Sequence, residues 1–320
     1  MTRDHGGDLD RAKARFGGGD WIDLSTGINR RPWPVPPVSL RAWTVLPGAD
    51  AESHLIRVAA RWFGCPPDQV LPLAGASAAI QLVPRLRAPG RAAVLWPSYN
   101  EHAASLMAAG WQVDQAHDPQ AMAGAGLAVV VNPNNPDGRE WSPEVLAALA
   151  ATVGLLVVDE SFADPRPDLS LAPSLPDNAI VLRSFGKFWG LAGVRLGFAL
   201  AHPGTLAPLR EAAGPWAVSG PALEIGAAAM ADHAFADDTL VYHSEAGLWL
   251  DRQALAAGWT PVGGTHLFRL YHTADAGAAQ SRLARARIWS RRFPYSDHWL
   301  RLGIPGSRHE RDRLTAALRG

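Results

Sequence analysis

The apolar positions of the chain up to residue 200 fall into short runs rich in Val, Leu and Ala that do not alternate with polar residues. Such runs are typical of buried strands covered on both faces, as in a parallel sheet. Helical patterns separate several of the runs, which favours crossover connections between parallel strands. The predicted strands are 70–74, 92–96, 127–131, 155–158, 179–182 and 196–200, and the helices predicted between them are 76–86, 100–109 and 143–151.

The two ends of the chain follow a different pattern. The N-terminal part predicts a strand at 21–24 and, after a proline-rich loop, a helix at 51–63 with Asp50 as its N-cap. After residue 215 the predicted elements are helices 221–237 and 243–257, strand 265–271, helix 276–287, strand 299–303 and helix 308–318. We therefore expect an α/β fold with an N-terminal arm at 1–40, a large domain at 41–215 and a smaller α+β domain at 216–320, which the arm joins.

One lysine follows the apolar run that ends at Leu182, in a segment of small, polar and glycine residues. The flanking runs are too apolar for a solvated edge, so we expect Lys187 to be partly desolvated. A lysine in such a pocket can form a Schiff base with an aldehyde. Ser184 and Arg195 are the nearby groups that can hold a phosphate. The alternative is a structural lysine in a glycine-rich turn.

Other polar residues follow the ends of the neighbouring predicted strands. The turn Gly75-Ala76-Ser77 joins a strand to a helix, and the backbone N–H groups of a helix start form an anion site. Tyr99 is placed to stack on a planar ligand, although a core tyrosine is the alternative. Asp159 ends a strongly apolar strand and needs a partner to stay charged. Because ligands collect at the carboxyl ends of parallel strands, we expect these groups to share one site.

The pattern Ser-x-x-Lys-x-x-Gly-Leu-Ala-Gly-x-Arg-x-Gly, from Ser184 to Gly197, resembles the cofactor-lysine segment of the pyridoxal-phosphate (PLP) enzymes of the aspartate aminotransferase fold. The resemblance implies that Asn135 donates to the pyridine-ring hydroxyl and that Asp159 pairs with the protonated ring nitrogen, which makes the ring an electron sink. It implies that the catalytic residues are Lys187 and Asp159 and that the PLP contacts are Gly75, Ala76, Ser77, Tyr99, Asn135, Asp159, Ser184, Lys187 and Arg195. The family usually has a tyrosine where Phe162 stands, so a second hydroxyl donor is expected to be lost.

The N-terminal motifs resemble those of a narrower group. His5-Gly6-Gly7-Asp8 and the segment from Ser25 to Asn29 are similar to the arm of the threonine-phosphate decarboxylases of cobalamin biosynthesis, which are close relatives of histidinol-phosphate aminotransferase. This resemblance implies that His5, Asn29 and Arg291 help to bind the substrate phosphate or carboxylate, and that Arg301 clamps the carboxylate. From the residues alone, a disordered tail for His5 and a solvated face for Arg291 and Arg292 stay open.

The function implied by the resemblance is decarboxylation of L-threonine O-3-phosphate to (R)-1-amino-2-propanol O-2-phosphate by a homodimer. Transamination of the histidinol-phosphate aminotransferase type, with the same residues, is the alternative. Family dimers often send a tyrosine to the neighbour's cofactor phosphate, and Val45-Leu46-Pro47-Gly48 stands at that place here. A PLP-sensing regulator or a catalytically inactive partner protein is disfavoured, because no helix-turn-helix or basic stretch is found and Lys187, Asp159 and the arginine set are intact.

Composition narrows the remaining classes. The 320 residues contain 30 basic and 30 acidic side chains, so nothing indicates a nucleic-acid or membrane-surface partner. The single Cys65 excludes an intrachain disulfide framework or a multi-cysteine metal site, and no metal is expected. The polar, glycine-rich stretch 1–20 does not predict a signal peptide, and no apolar run approaches the length of a membrane span. We expect a cytoplasmic enzyme in which Lys187 is the only lysine besides Lys13.

Overall fold

The computed structural model describes residues 5–319 of the chain. Its strands are β1 (Ile22–Asp23), β2 (Val70–Leu73), β3 (Arg91–Leu95), β4 (Gln112–Ala116), β5 (Leu127–Val131), β6 (Leu156–Asp159), β7 (Ala179–Ser184), β8 (Gly197–Leu200), β9 (Thr260–Gly264), β10 (Phe268–His272), β11 (Ile288–Trp289), β12 (Arg291–Phe293) and β13 (Ser296–Gly303). Its helices are α1 (Leu9–Phe16), α2 (Leu40–Thr44), α3 (Ala49–Phe63), α4 (Ala76–Leu82), α5 (Asn100–Ala108), α6 (Pro143–Ala150), α7 (Phe185–Phe188), α8 (Pro203–Ala213), α9 (Gly220–Met230), α10 (His233–Ala256), α11 (Ala276–Arg285) and α12 (Arg308–Arg319).

The described chain divides into two compact units. The larger unit comprises residues 33–135 and 140–234. The smaller unit comprises the chain up to Pro32, the short segment 136–139 and the chain from Phe235 onward. The predicted domain boundaries at residues 40 and 215 stay a prediction. The main boundaries between the two compact units fall after Pro32 and after Ala234.

The larger unit is built on a seven-stranded sheet with the order β2-β8-β7-β6-β5-β3-β4. Neighbouring strands are parallel except at β8, which runs antiparallel to both β2 and β7. Every residue of β5 and β6 is buried, which explains why these strands show no apolar–polar alternation in the sequence. The predicted mostly parallel sheet flanked by helices is confirmed.

The smaller unit contains an antiparallel sheet with the order β12-β13-β10-β9 and a short parallel pair, β1 with β11. Its core is formed by side chains of α10, α11 and α12 packed with those of β10 and β13. Leu250 of α10, Leu283 of α11, Leu300 of β13 and Leu314 of α12 are all fully buried there. The α+β character predicted for this part of the chain is thus present.

Two predicted helix boundaries are wrong. The structure ends α9 at Met230 and runs α10 without interruption from His233 to Ala256, so the predicted break between 237 and 243 is absent. No Gly or Pro lies between those residues, and nothing local stops the helix there. Asp50 is not an N-cap, because α3 begins at Ala49 after Gly48, and Asp50 lies in the first turn. An acidic residue is favourable both at the N-cap and in the first turn of a helix, so the residue type alone does not distinguish these two positions.

Four strands of the sheets were not predicted: β4, β9, β12 and the two-residue β11. Of these, β4, β9 and β12 each form the edge of a sheet and are only partly buried. Edge strands carry polar residues that weaken the apolar signal on which sequence reading depends. Within residues 5–319, no helix is both long enough and apolar enough to cross a membrane.

Replacing Leu250 with alanine is expected to lower the free energy of unfolding by about 2–5 kcal/mol, because it removes buried methyl groups and leaves a cavity. Leu248 lies on the same helix but is 62% exposed, whereas Leu250 is 0% exposed. The matched control Leu248→Ala is therefore expected to change stability by less than about 0.5 kcal/mol. Urea denaturation of both variants measures the difference. Equal losses in the two variants would contradict the burial described for α10.

Candidate active site

The strands β7, β6 and β5 lie side by side in the sheet of the larger unit and end at Ser184, Asp159 and Val131. Because they are parallel, their carboxyl ends lie at one edge of the sheet. The segments that follow these ends carry the polar residues singled out in the sequence. The structure thus brings the predicted groups of the larger unit to one edge.

Lys187 lies in the short helix α7 directly after β7 and is only partly buried. Its Nζ is 4.4 Å from the centroid of the Phe162 ring and 6.0 Å from that of Tyr99. Aromatic faces attract a cation and exclude water from it. The lysine is therefore held in a partly desolvated aromatic setting, as predicted from the apolar strands around it.

Asp159 is 3% exposed, yet its carboxylate is well supplied with donors. His102 Nε2 donates to Asp159 Oδ2 at 2.8 Å, and the Ser161 N–H donates to Oδ1 at 3.0 Å. Burial by itself raises the pKa of this carboxyl, but His102, the Ser161 N–H and the charge of Lys187 outweigh burial and hold the pKa below its usual range. Asp159 is thus an ionised carboxylate in a buried place, suited to a cationic partner.

The turn before α4 forms a cradle that a side chain would fill. Gly75 has a φ of +82°, and a Cβ there would lie 2.8 Å from Arg195 Nη2. Arg195, itself in the left-handed region with a φ of +57°, places its guanidinium against the backbone of Gly75. No side chain caps the start of α4 at Ala76, and Ser77 is exposed beside it. A guanidinium together with the N–H groups of a helix start is suited to a phosphate group.

The asparagine-rich turn after β5 separates structural from candidate ligand residues. Asn132 is fully buried and bonds in both directions with the backbone of Trp141. Asn134 is also fully buried, and its amide contacts Ser98 Oγ and donates to the Pro97 carbonyl. Asn135 is less buried than either. Asn132 and Asn134 therefore hold the turn, and the contact of Asn135 with the ring hydroxyl stays a prediction.

Glu160 follows Asp159 but points into a separate buried network. Arg183 Nη1 donates to Glu160 Oε2 at 2.8 Å, and Arg183 Nη2 donates to Asp164 Oδ1 at 2.7 Å. Ser170 Oγ and the Leu171 N–H also donate to the Glu160 carboxylate. The network fixes the chain after β6, so Glu160 supports the position of Asp159 rather than joining it.

In the smaller unit, two predicted arginines stand directly opposite each other. Arg291 of β12 and Arg301 of β13 are register partners in the antiparallel pair, so their side chains share one face. Arg301 is 6% exposed, donates from Nη2 to the Ser25 carbonyl at 2.8 Å, and lies over the Phe268 ring. Two guanidinium groups on one face of a sheet are suited to binding an anion. Arg292, in contrast, is exposed.

Asn29 is 2% exposed and is fixed by its side chain. Its Oδ1 accepts from the Arg31 N–H at 2.8 Å and lies 2.9 Å from His243 Nε2. The other ring nitrogen of His243 lies 2.9 Å from the His266 carbonyl. A neutral imidazole has one N–H and donates to one of these oxygens, and a second proton would allow both bonds. Burial, helped by the charge of Arg31, opposes that proton and lowers the pKa of His243 to about 4.

The arm that carries His5 is attached to the smaller unit through its glycines. The Gly7 N–H donates to Ser25 Oγ at 2.7 Å, and Asp8 caps the start of α1. Phe16 and Trp21 continue the attachment through ring contacts with Trp289. The residues that follow His5 are therefore attached to the smaller unit, and the role of His5 in substrate binding stays a prediction.

Sequence reading missed His102 and His243, which hold candidate site residues, and it named Ser25 only as part of the arm motif, without its contact to Arg301. The signal for His102 was present, because Tyr99 and His102 are three positions apart at a predicted helix start and so share a face. The contacts of Ser25 and His243 join segments far apart in the sequence, and no local spacing reveals them.

The mostly parallel sheet that carries these groups at the carboxyl ends of β2, β3, β5, β6 and β7 has the aspartate aminotransferase fold, and this is the class that the fold and the site define. The chain belongs to the aminotransferase class I and II family, whose sequence profile matches residues 40–318. As a member it is a PLP-dependent enzyme. The residues present fit that cofactor, since Asp159 is kept anionic and Arg195 lies on the cradle at Gly75.

Three similar proteins show which members of the family this chain resembles. A threonine-phosphate decarboxylase of Sinorhizobium sp is 44% identical over 98% of this chain and 97% of its own length. A threonine-phosphate decarboxylase of Pseudomonas aeruginosa is 40% identical over 99% of this chain and 97% of its own length. The crystal structure of histidinol-phosphate aminotransferase from Sinorhizobium meliloti in complex with pyridoxal-5'-phosphate has a TM-score of 0.86 at 24% identity, covering 97% of this chain and 92% of that one. The last likeness supports the fold.

The depressed pKa of His243 predicts a loss of stability in mild acid. The unfolded chain takes up a proton at about 6.5, whereas folded His243 does so only at about 4. Stability is therefore full above pH 6.5 and falls towards pH 4, by up to about 3 kcal/mol. Urea denaturation across this range is expected to show a smaller fall in His243→Gln. The exposed His309 supplies the control His309→Gln, and the idea fails if both variants keep the wild-type pH dependence.

Proposed function

We propose that this chain decarboxylates L-threonine O-3-phosphate, with PLP as cofactor, to give carbon dioxide and (R)-1-amino-2-propanol O-2-phosphate. The observation that carries the proposal is the near full-length similarity to two relatives, both threonine-phosphate decarboxylases. That similarity covers 98% and 99% of the chain, so it includes most of the N-terminal arm at 1–40. We assign the reaction to cobalamin biosynthesis in the cytoplasm, in agreement with a substrate that bears a phosphate and with one buried, unpaired Cys65.

The larger unit supplies the residues that hold the cofactor. When bound, PLP supplies an aldehyde for an amine and a ring that accepts an electron pair. Asp159 would favour a protonated ring nitrogen, because its carboxylate stays ionised beside His102. Gly75, Ala76, Ser77, Ser184 and Arg195 would hold the phosphate, and Tyr99 and Asn135 would contact the ring. Lys187 supplies the amine and is the candidate to move a proton at the substrate Cα.

The smaller unit supplies the groups that would orient the substrate. L-Threonine O-3-phosphate has two anionic groups, and Arg301 and Arg291 face one another as a pair of cations. We assign the carboxylate to Arg301, whose planar guanidinium suits bidentate binding, and the phosphate to Arg291, Asn29 and His5. Fixing both ends of the substrate decides which bond at Cα is aligned for cleavage. For the carboxylate to leave as carbon dioxide, its contacts with Arg301 must then break.

Transamination of histidinol phosphate is the second candidate, supported by the similarity of the fold to a histidinol-phosphate aminotransferase. The same cofactor residues would serve it, so the cofactor site does not separate the two reactions. The products separate them, because transamination consumes 2-oxoglutarate and forms glutamate, whereas decarboxylation needs no keto acid.

The two lysines of the chain provide a matched test of the decarboxylase. Holoenzyme with L-threonine O-3-phosphate and no keto acid is expected to release carbon dioxide and the amine product. Lys187→Ala is expected to lower kcat by at least about a hundredfold, since a positioned acid–base group contributes that much or more. Lys13 is exposed on α1, and Lys13→Ala is expected to leave kcat unchanged.

The outcomes separate the candidates. Glutamate formation from histidinol phosphate and 2-oxoglutarate, without carbon dioxide from threonine phosphate, would transfer the assignment to the aminotransferase. If spectroscopy shows that PLP binds at Lys187 but neither product forms, a regulatory or binding role would remain for the protein. Equal activity of Lys187→Ala and Lys13→Ala would contradict the role given to Lys187.

We also propose that the active enzyme is a homodimer that uses the surface around α2. Leu40, Trp43 and Leu46 are 76%, 67% and 65% exposed, and they form an apolar stretch of unusual density for a surface. Arg41 and Glu224 line the groove beside them. A twofold interface needs a patch that complements itself, and apolar side chains flanked by one cation and one anion meet this condition.

A charge placed in the α2 patch is expected to separate the subunits. Trp43→Glu would bury an unpaired carboxylate in the interface, so light scattering is expected to give half the wild-type mass. Met107 is exposed on α5, outside the patch, and Met107→Glu is the control that should keep the dimer mass. A monomeric wild type, or a dimer that persists in Trp43→Glu, would argue against this surface.

A further inference from the structure

Ser25 is fully buried two residues after the end of β1, and its hydroxyl has a defined orientation. The Ser25 N–H and Oγ both donate to Asp23 Oδ1, at 2.9 and 2.6 Å. A serine hydroxyl has one proton, so donation to Asp23 turns its lone pairs in another direction. The Asp23 backbone is in turn held by Arg30, which donates to the Asp23 carbonyl and pairs with Glu310.

The oriented lone pairs of Ser25 meet the N-terminal arm. The Gly7 N–H donates to Ser25 Oγ at 2.7 Å, and Gly7 has a φ of +86°, in the left-handed region. A Cβ on Gly6 would collide with the Ser25 carbonyl oxygen. Two glycines are therefore required, one for the conformation and one for the close approach. The arm that carries His5 thus docks on Ser25 through the backbone of Gly6 and Gly7.

The carbonyl group of the same residue holds the candidate carboxylate clamp. Arg301 Nη2 donates to the Ser25 oxygen at 2.8 Å. The guanidinium lies 4.9 Å from the centroid of the Phe268 ring and 6.0 Å from that of Phe293. A buried guanidinium needs oxygen acceptors of fixed position, and Ser25 provides one from the backbone. Its two oxygens thus serve two different segments, the arm and β13.

We propose that Ser25 is a positioning residue that holds the His5 arm on its hydroxyl and Arg301 on its carbonyl, so that both act on one dianionic substrate. This inference rests on the proposed function for the identity of the substrate. Asp23 orients the hydroxyl, and Gly6 permits the contact. Ser25 itself does not touch the substrate. Its effect is to place His5, and through it to set the preference for a phosphorylated amino acid over one without phosphate.

The test uses holoenzyme and two independent ways to release the arm. Ser25→Ala removes the hydroxyl but keeps the carbonyl that Arg301 needs. Gly6→Ala keeps Ser25 and displaces the arm by the collision of its Cβ. These are compared with His5→Ala and with the double variant Ser25→Ala/His5→Ala. The control is Ser244→Ala, whose exposed hydroxyl donates only within its own helix, to the Leu240 carbonyl.

The kinetic readout separates positioning from general damage. KM for L-threonine O-3-phosphate is expected to rise about tenfold in each of the three single variants, as for the loss of one hydrogen bond to a charged group, with a smaller change in kcat. The double variant is expected to show the same rise, whereas independent effects would multiply to about a hundredfold. Binding of L-threonine, which has no phosphate, is expected to be unchanged by Ser25→Ala.

A second readout does not depend on turnover. Hydrogen exchange of the arm, followed by mass spectrometry over residues 5–16, is expected to quicken in Ser25→Ala and Gly6→Ala but not in Ser244→Ala. Unchanged exchange in both arm variants overturns the proposal, and so does a fully multiplicative double variant.

Failure of the proposed function is distinguishable from failure of this inference. If the wild type binds L-threonine O-3-phosphate without releasing carbon dioxide, the decarboxylase assignment fails, and the dissociation constants of the same variants replace KM in judging Ser25. If the wild type does not bind this compound, both proposals are overturned.

Discussion

A carboxylate that must remain charged inside the protein governs the larger unit. Asp159 lies at the end of a fully buried strand, where an unpaired charge is costly. His102 relieves that cost, and Tyr99 is the N-cap of its helix, so one element places both the partner of the carboxylate and the candidate ring-stacking residue. The charge of Lys187 also favours the ionised form. Cofactor contacts and charge balance are therefore one structural arrangement rather than two.

The smaller unit holds a buried cation, which needs polar protein atoms in place of water. Arg301 is buried between aromatic rings and takes a backbone oxygen from a segment far away in the chain. The same segment continues to Asn29, which His243 and the Arg31 N–H hold in place. These candidate anion contacts are thus fixed by backbone groups and by the side chain of His243.

The sequence revealed those parts of the site that follow an apolar strand, because burial and the next polar residue are adjacent in the chain. Asp159, Ser184 and Lys187 were found in this way. Contacts made by folding were not accessible: Ser25 with Arg301 and His243 with Asn29 span most of the chain, and the edge strand β12 carries two arginines that hide its strand character. Predicted helix boundaries were wrong for two reasons. At Asp50, an acidic residue suits the N-cap and the first turn equally, and in α10 no Gly or Pro marks an end of the helix.

The scarcity of lysine has a practical consequence for chemical labelling. Lys13 and Lys187 supply the only side-chain amines of the chain. One is exposed on the arm helix, and the other lies against Phe162 at the sheet edge. An amine-reactive mass tag read by peptide mapping therefore reports the accessibility of the site with a single internal reference. With Lys13 replaced by arginine, the one remaining side-chain label would lie on Lys187. The extent of labelling would then report whether the site is occupied.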